Sequence, residues 1–144
     1  MTLLQVVLDT DILSAIMRKN PIVIPKAQRY LAAHRRFTIS IITRYEILRG
    51  LKAKGATMQE ITFDHFCARN LILPLSDKVI VKAAEIYATL HQKGVLISDA
   101  DILIAASALV HRLGIATNNE EHFRRIAGLQ VENWFKGTIS DVES

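Results

Sequence analysis

Apolar positions along this chain fall into two alternating rhythms. Residues 5–9 carry the continuous run Val6-Val7-Leu8 and close on Asp9, the pattern of a strand buried on both faces. Asp11 to Arg18 then reads as a short helix, interrupted by Pro21, and Pro25 lies near the start of a second helix that runs to about Arg35. Phe37–Ile41 is β-branched and alternating, which predicts a second strand. Ile42–Lys54 brings Ile42, Tyr45, Leu48 and Leu51 to helical spacing, and Gly55 stops it. Thr57–Arg69 predicts a further helix with Phe63, Phe66 and Cys67 inward, and Leu71–Leu73 a short strand ended by Pro74. Ser76–Lys93 is a helix whose buried face holds Val79, Ala83, Ile86, Tyr87 and Leu90, with Gly94 as its stop. Ser98 followed by Asp101 resembles a capping box with Asp in place of Glu. The helix it opens runs to Leu113, ends at Gly114 and is apolar almost all round, so it is predicted to be central. Ile115–Thr117 is a strand, Asn119–Ala127 a helix and Gln130–Glu132 a last strand. Such alternation predicts an α/β fold with a mainly parallel sheet. Residues 1–136 form one domain in this reading, and 137–144 a polar, frayed tail.

Composition narrows the class of protein. The 144 residues are half hydrophobic and 22% charged, which suits one globular domain with its own core. No apolar stretch approaches the ~20 residues that span a bilayer. The first residues do not read as a secretory signal. The lone Cys67 excludes an internal disulfide and reads as a buried small hydrophobe. These features point to the cytoplasm. The net charge of +4 leans towards an anionic partner. Arg35 and Arg36, Arg44 and Arg49, Lys52 and Lys54, and Arg124 and Arg125 are the basic candidates.

Carboxylates stand where the apolar runs end. Asp9 closes the first strand, Glu46 lies about one turn into the helix after the second, and Asp99 and Asp101 open the apolar helix. In a parallel sheet such ends lie along one edge, where ligands bind. Acids gathered there repel one another unless a cation neutralises them. The pattern therefore points to a Mg²⁺ site and a phosphate-handling enzyme. Oxygen-only ligands suit Mg²⁺, with Mn²⁺ as the other candidate. Asp9, Glu46 and Asp101 are the main candidate ligands, with Asp99 as a helper. Each has a plainer reading: Asp9 and Asp101 can cap helices, and Asp11 is a carboxylate favoured by a helix N-terminus. Glu46 has Ile42 and Gly50 at i−4 and i+4, so its row is not polar and it is predicted to face a cleft. Gly50 within a helix costs about 1 kcal/mol against Ala, a cost that makes sense if something approaches closely.

Several chemistries are disfavoured. The five histidines, His34, His65, His91, His111 and His122, are scattered without i, i+4 pairs or a Cys/His cluster, against a zinc site. No Gly-rich phosphate loop or nucleophile elbow occurs. Asp9-Thr10-Asp11 also fits an aspartyl-nucleophile phosphatase, although Glu46 and Asn119 fit that scheme poorly. A non-catalytic binding module is the other alternative, and the retained acids argue against it.

The chain resembles the PIN-domain ribonuclease toxins of the VapC type, from about Val6 to Phe135. The resemblance rests on Leu8-Asp9-Thr10-Asp11, Glu46 followed by Leu48 and Gly50, and Asp101-Ile-Leu-Ile-Ala-Ala. It rests also on Thr117-Asn118-Asn119 followed by His122-Phe123, and on Gly128-Leu129 with Val131-Glu132-Asn133-Trp134. It implies a three-layer α/β/α sandwich with an acidic pocket for Mg²⁺ or Mn²⁺, endonucleolytic cleavage of RNA and 5′-phosphate products. It further implies inhibition by a VapB-type antitoxin, promoter DNA contacted only through that complex, and a homodimer. Carried over residue by residue, the acids fall on Asp9, Glu46 and Asp101. The fourth position falls on Asn119, with Thr117 as the polar residue before it. Asn119 removes one negative charge and leaves a site suited to one tightly held ion. Asp99 or Asn119 is then the residue expected to orient the attacking water. Trp134 reads as core rather than as a platform for stacking bases.

Overall fold

A computed structural model describes residues 4–136. The predicted tail, 137–144, lies outside the described residues. Among the described residues five strands form the sheet: β1 (Val6–Leu8), β2 (Thr38–Ser40), β3 (Leu71–Leu73), β4 (Gly114–Ala116) and β5 (Val131–Glu132). Their order is β3-β2-β1-β4-β5, and every pairing is parallel. Among the described residues seven helices connect them: α1 (Thr10–Met17), α2 (Val23–His34), α3 (Ile41–Ala53), α4 (Thr57–Arg69), α5 (Asp77–Gln92), α6 (Asp99–Val110) and α7 (Glu120–Phe123).

Strand alternation divides the core into two layers. Val6 and Leu8 point to one side of β1 and pack with Ile12, Leu13, Val23, Tyr30, Phe37 and Phe63 from the α1, α2 and α4 side. Val7 points to the other, against Val79, Ile86, Ile104, Ile115 and Phe123 from the α5, α6 and α7 side. The result is the expected three-layer sandwich. β1 is buried along its whole length, which is why its sequence is continuously apolar. The Tyr30 hydroxyl accepts from the Val6 N–H at 3.2 Å and lies 3.3 Å from the Val6 carbonyl, serving a strand whose β2 pairing begins only at Leu8. Trp134 is 3% exposed and packs against Tyr30 at 5.5 Å, so it belongs to the core.

Short polar side chains set the helix starts. Ser40, Ser76 and Ser98 accept from the N–H groups of Ile42, Val79 and Asp101, and the Asn20 side chain accepts from Ile22 and Val23. The Ser40 cap ends β2 one residue earlier than predicted and gives Ile41 to α3. Tyr87 is half exposed and stacks on His91, not inward as expected: Val79 to Ile86 is two full turns, so residue 87 is rotated about 100° further off the face. The predicted helix 119–127 shrinks to α7. Beyond it Arg125 and Ile126 bond to carbonyls three residues back, which tightens the turn and sets Ile126 against the core beside Phe123.

Gly114 is not simply a helix stop. It opens β4, and a Cβ there would lie 2.7 Å from Leu4 Cδ2 and 2.9 Å from the Gln130 carbonyl oxygen. Gly114→Ala should therefore destabilise the fold by about 1–3 kcal/mol, the usual range for overpacking. Urea unfolding midpoints of the two proteins measure it.

Candidate active site

The sheet order reverses at β1. β2 and β3 build outward on one side, and the chain then returns to place β4 on the other. The C-terminal ends of β1 and β4 therefore flank the crevice where parallel sheets bind ligands. Asp9 follows β1 and Thr117 follows β4. The Thr117 hydroxyl donates to Asp9 Oδ2 at 2.7 Å, and the Thr10 N–H donates to Oδ1 at 2.8 Å as Asp9 caps α1. The capping reading of Asp9 thus holds. The residue is 6% exposed. Burial, then the charge of Asp11, push its carboxyl up to about 7, and Asp101 adds to the effect against the two hydrogen bonds.

Asp11 plays a larger part than a helix-start carboxylate. Its Oδ2 accepts the Asn118 N–H at 2.9 Å, while Oδ1 is buried and is the lone such side-chain atom without a hydrogen-bond partner among the described residues. Burial raises its pKa, and Asp101 contributes. Asp9, Asp11 and Asp101 therefore lie close enough to act on one another. The sequence signal was present in Asp9-Thr10-Asp11, where two acids frame the first residue of a helix.

Asp101 occupies the third position of α6. Ser98 caps its N–H at 3.2 Å, and its carboxylate Oδ2 stands 3.3 Å from His122 Nδ1. That same nitrogen lies 2.7 Å from the Asn119 side-chain nitrogen. One ring nitrogen cannot accept from the amide and donate to the carboxylate at once, and the shorter contact pairs it with Asn119. His122 looked like one of five scattered histidines. The tight turn after β4 brings it beside Asp101, three residues beyond Asn119. Asn119 itself is anchored by its N–H, which donates to the Thr117 hydroxyl at 2.9 Å.

Glu46 stands slightly apart. The Thr10 hydroxyl donates to its Oε1 at 2.6 Å, and Thr10 Oγ1 also lies 3.0 Å from the buried Thr43 hydroxyl. With one proton on each hydroxyl, Thr43 donates to Thr10 and Thr10 to Glu46. Glu46 lines a groove of about 580 Å³ with Thr10, Ser14, Arg18, Gly50 and Lys54, so it does face a cleft. A Cβ on Gly50 would meet nothing within 4 Å, so the glycine leaves open space above α3. Asp99 lies exposed on the first turn of α6.

Much of the basic surface is committed to local ion pairs. Arg44 pairs with Asp64, Lys52 with Glu60, and Arg124 with Glu120, while Arg49 lies 3.8 Å from Glu46. Arg18 and Lys54 are the cations of the groove, and Arg18 was not among the expected candidates.

No three acidic, histidine or cysteine side chains among the described residues converge closely enough to hold a metal ion by themselves. The donor set nonetheless suits a hydrated divalent cation. It is all oxygen, its carboxylates repel one another, and it leaves Asp11 Oδ1 buried without a donor.

An all-parallel α/β protein with acids at its topological switch point is the class that these features define. The PIN domain family model matches residues 6–129. Ribonuclease VapC2 of Rickettsia felis is 33% identical over 130 residues, 90% of this chain and 97% of that protein. The tRNA(fMet)-specific endonuclease VapC of Salmonella typhimurium is 28% identical over 92% of this chain and 99% of that one. The crystal structure of VapBC2 from Rickettsia felis bound to a DNA fragment from their promoter has a chain that superposes with a TM-score of 0.79 and 31% identity. It covers 89% of this chain and 97% of its own. The chain belongs to the PIN-domain family, on its VapC branch. VapC ribonucleases of this family generally depend on a divalent metal.

Without a metal ion, protein stability should fall as pH rises. The folded Asp9 carboxyl titrates near 7 against 3.8 unfolded, so the folded state holds the proton more tightly between those values. The contribution is complete below pH 4 and lost through pH 7, up to about 4 kcal/mol. Asp9→Asn should flatten this dependence and stabilise the protein in EDTA at pH 8. Thermal melts across pH 4 to pH 8 test both.

Proposed function

We propose that the protein is a divalent-metal-dependent endoribonuclease that acts as the toxin of a toxin–antitoxin pair. The observation that carries this reading is the set of mutually repelling acids Asp9, Asp11 and Asp101 at the switch point, with an unpartnered oxygen among them. Such a set is costly without a cation and useful with one. Mg²⁺ is the favoured ion and Mn²⁺ the substitute, held by Asp9, Glu46 and Asp101 directly or through waters. When bound, such an ion lowers the pKa of water and offsets charge on the phosphate oxygens.

The chain's own residues supply the rest. Thr117 and the Thr10 N–H orient Asp9, and the Thr43–Thr10 hydroxyl relay orients Glu46. Asn119 and His122 stand beside Asp101, where they can orient a water or contact a phosphate oxygen. Arg18 and Lys54 along the groove suit neighbouring phosphates. The aspartyl-phosphatase alternative is weakened because Asp9 is buried and both of its oxygens already accept hydrogen bonds. RNA as substrate and a VapB-type antitoxin as inhibitor are supported by the relatives' names and by the VapBC complexes among the similar structures. A homodimer, promoter DNA reached through the antitoxin, and the cytoplasm as compartment complete the proposal. Among the described residues no helix is long and apolar enough to cross a membrane.

Purified protein should cut RNA in Mg²⁺ or Mn²⁺ and stop in EDTA. Asp101→Asn should lower kcat by at least a hundredfold while far-UV circular dichroism stays unchanged. Equal cleavage by wild type and variant, in preparations free of other nucleases, would sink the assignment. The partner has its own test. An antitoxin side chain from Arg or Lys that enters the pocket would compete with the ion for Asp9, Glu46 and Asp101. Antitoxin affinity should then weaken as Mg²⁺ rises; an affinity independent of Mg²⁺ would refute the competition.

A further inference from the structure

The short segment after β4 hydrogen-bonds Asp9 and Asp11 and reaches Asp101 through His122. Thr117 Oγ1 donates to Asp9, the Asn118 N–H donates to Asp11, and Asn119 meets His122 beside Asp101. Asn118 belongs to neither β4 nor α7, so no ladder or helix fixes it, and Asn119 stands at the N-cap of α7. The side chain of Asn118 is anchored from the end of the described chain.

Asn133, just after β5, is 8% exposed. Its Oδ1 accepts the Phe135 N–H at 2.9 Å, which sets the amide's orientation and turns Nδ2 the other way. Nδ2 then donates to Asn118 Oδ1 and to Glu120 Oε2, both at 3.0 Å. Glu120 is held in turn by Lys136 and Arg124, each at 2.6 Å. The Lys136 ammonium first, then the Asn133 amide and Arg124, keep its carboxyl down at about 2, so it remains an ionised acceptor. One amide thus ties both sides of the loop, residues 118 and 120, to the last strand. A buried amide used in this way is rigid, because each of its groups has a partner.

We propose that Asn133 is a positioning residue for the acidic site: by bridging Asn118 and Glu120 it fixes the segment whose donors hold Asp9 and Asp11 and whose Asn119 holds His122 beside Asp101. Asn133 touches none of these acids itself. The inference rests on the endoribonuclease reading for its effect on rate, but not for its effect on the loop.

The discriminating variant is Asn133→Asp. It keeps the size and the acceptor for Phe135, loses the donor, and sets a carboxylate against Glu120. A second change, Glu120→Gln, supplies an amide that donates to the new carboxylate, while the Asn118 amide turns over to donate as well. Amide hydrogen exchange reads the loop directly. In Asn133→Asp, exchange at Asn118 and Asn119 should speed up at least tenfold, while amides of β1 and α6 keep their protection. RNA cleavage should lose at least tenfold in kcat, with KM within twofold, because acids are displaced and the basic groove is untouched. Asn133→Asp with Glu120→Gln should return both quantities to within threefold of wild type. Unchanged exchange at Asn118, a kcat loss explained by a lower melting temperature, or no recovery in the double variant would overturn the proposal. If the wild type cuts no RNA while Asn118 exchange responds as described, the ribonuclease reading fails and the anchoring role stands.

Discussion

The hydrogen bond from Thr117 to Asp9 is the contact on which the pocket depends. It joins the ends of two neighbouring parallel strands at the point where the sheet order reverses. The strands beneath it are short, three residues each, and are fixed by apolar packing from both layers. A buried carboxylate needs donors or a cation to stay ionised. Asp9 has two donors, yet burial and its acidic neighbours still raise its pKa. The fold therefore holds these acids in a state that hydrogen bonding only partly satisfies. Packing of the two apolar layers supplies the stability that this arrangement spends.

Much of the architecture could be read from the chain because burial on both faces leaves an uninterrupted apolar run. Val6-Val7-Leu8 and the nearly all-apolar α6 announced a central strand and a central helix. Asp9 stood out because it closes such a run and Asp101 because it opens the apolar α6, and the structure brings the two into one electrostatic group. Glu46 faces the groove through Thr10 rather than through the other acids.

What escaped was decided by tertiary geometry. Asp11 looks like any first-turn carboxylate until Asn118 reaches it from a loop 107 residues away. His122 has no sequence partner, and only the tightened turn after β4 carries it to Asp101. Asp99 and Asp101 are two residues apart on one helix, so they point about 200° from each other and cannot both face the crevice. Tyr87 failed for the same rotational reason. Asn133 had no signal beyond its place in the Val131–Trp134 string, since the loop it bridges cannot be inferred from spacing.

Trp134 is the only tryptophan of the chain. It follows Asn133 directly and is buried among Tyr30 and Phe37. Its indole emission therefore arises from one defined apolar place, coupled through a single peptide bond to the residue that braces the pocket loop. Tyr30, close enough for energy transfer, binds the backbone of the central strand. The fold thus contains a native optical pair linking β1 to the last strand, and loosening at that end of the sheet becomes visible as light without any added label.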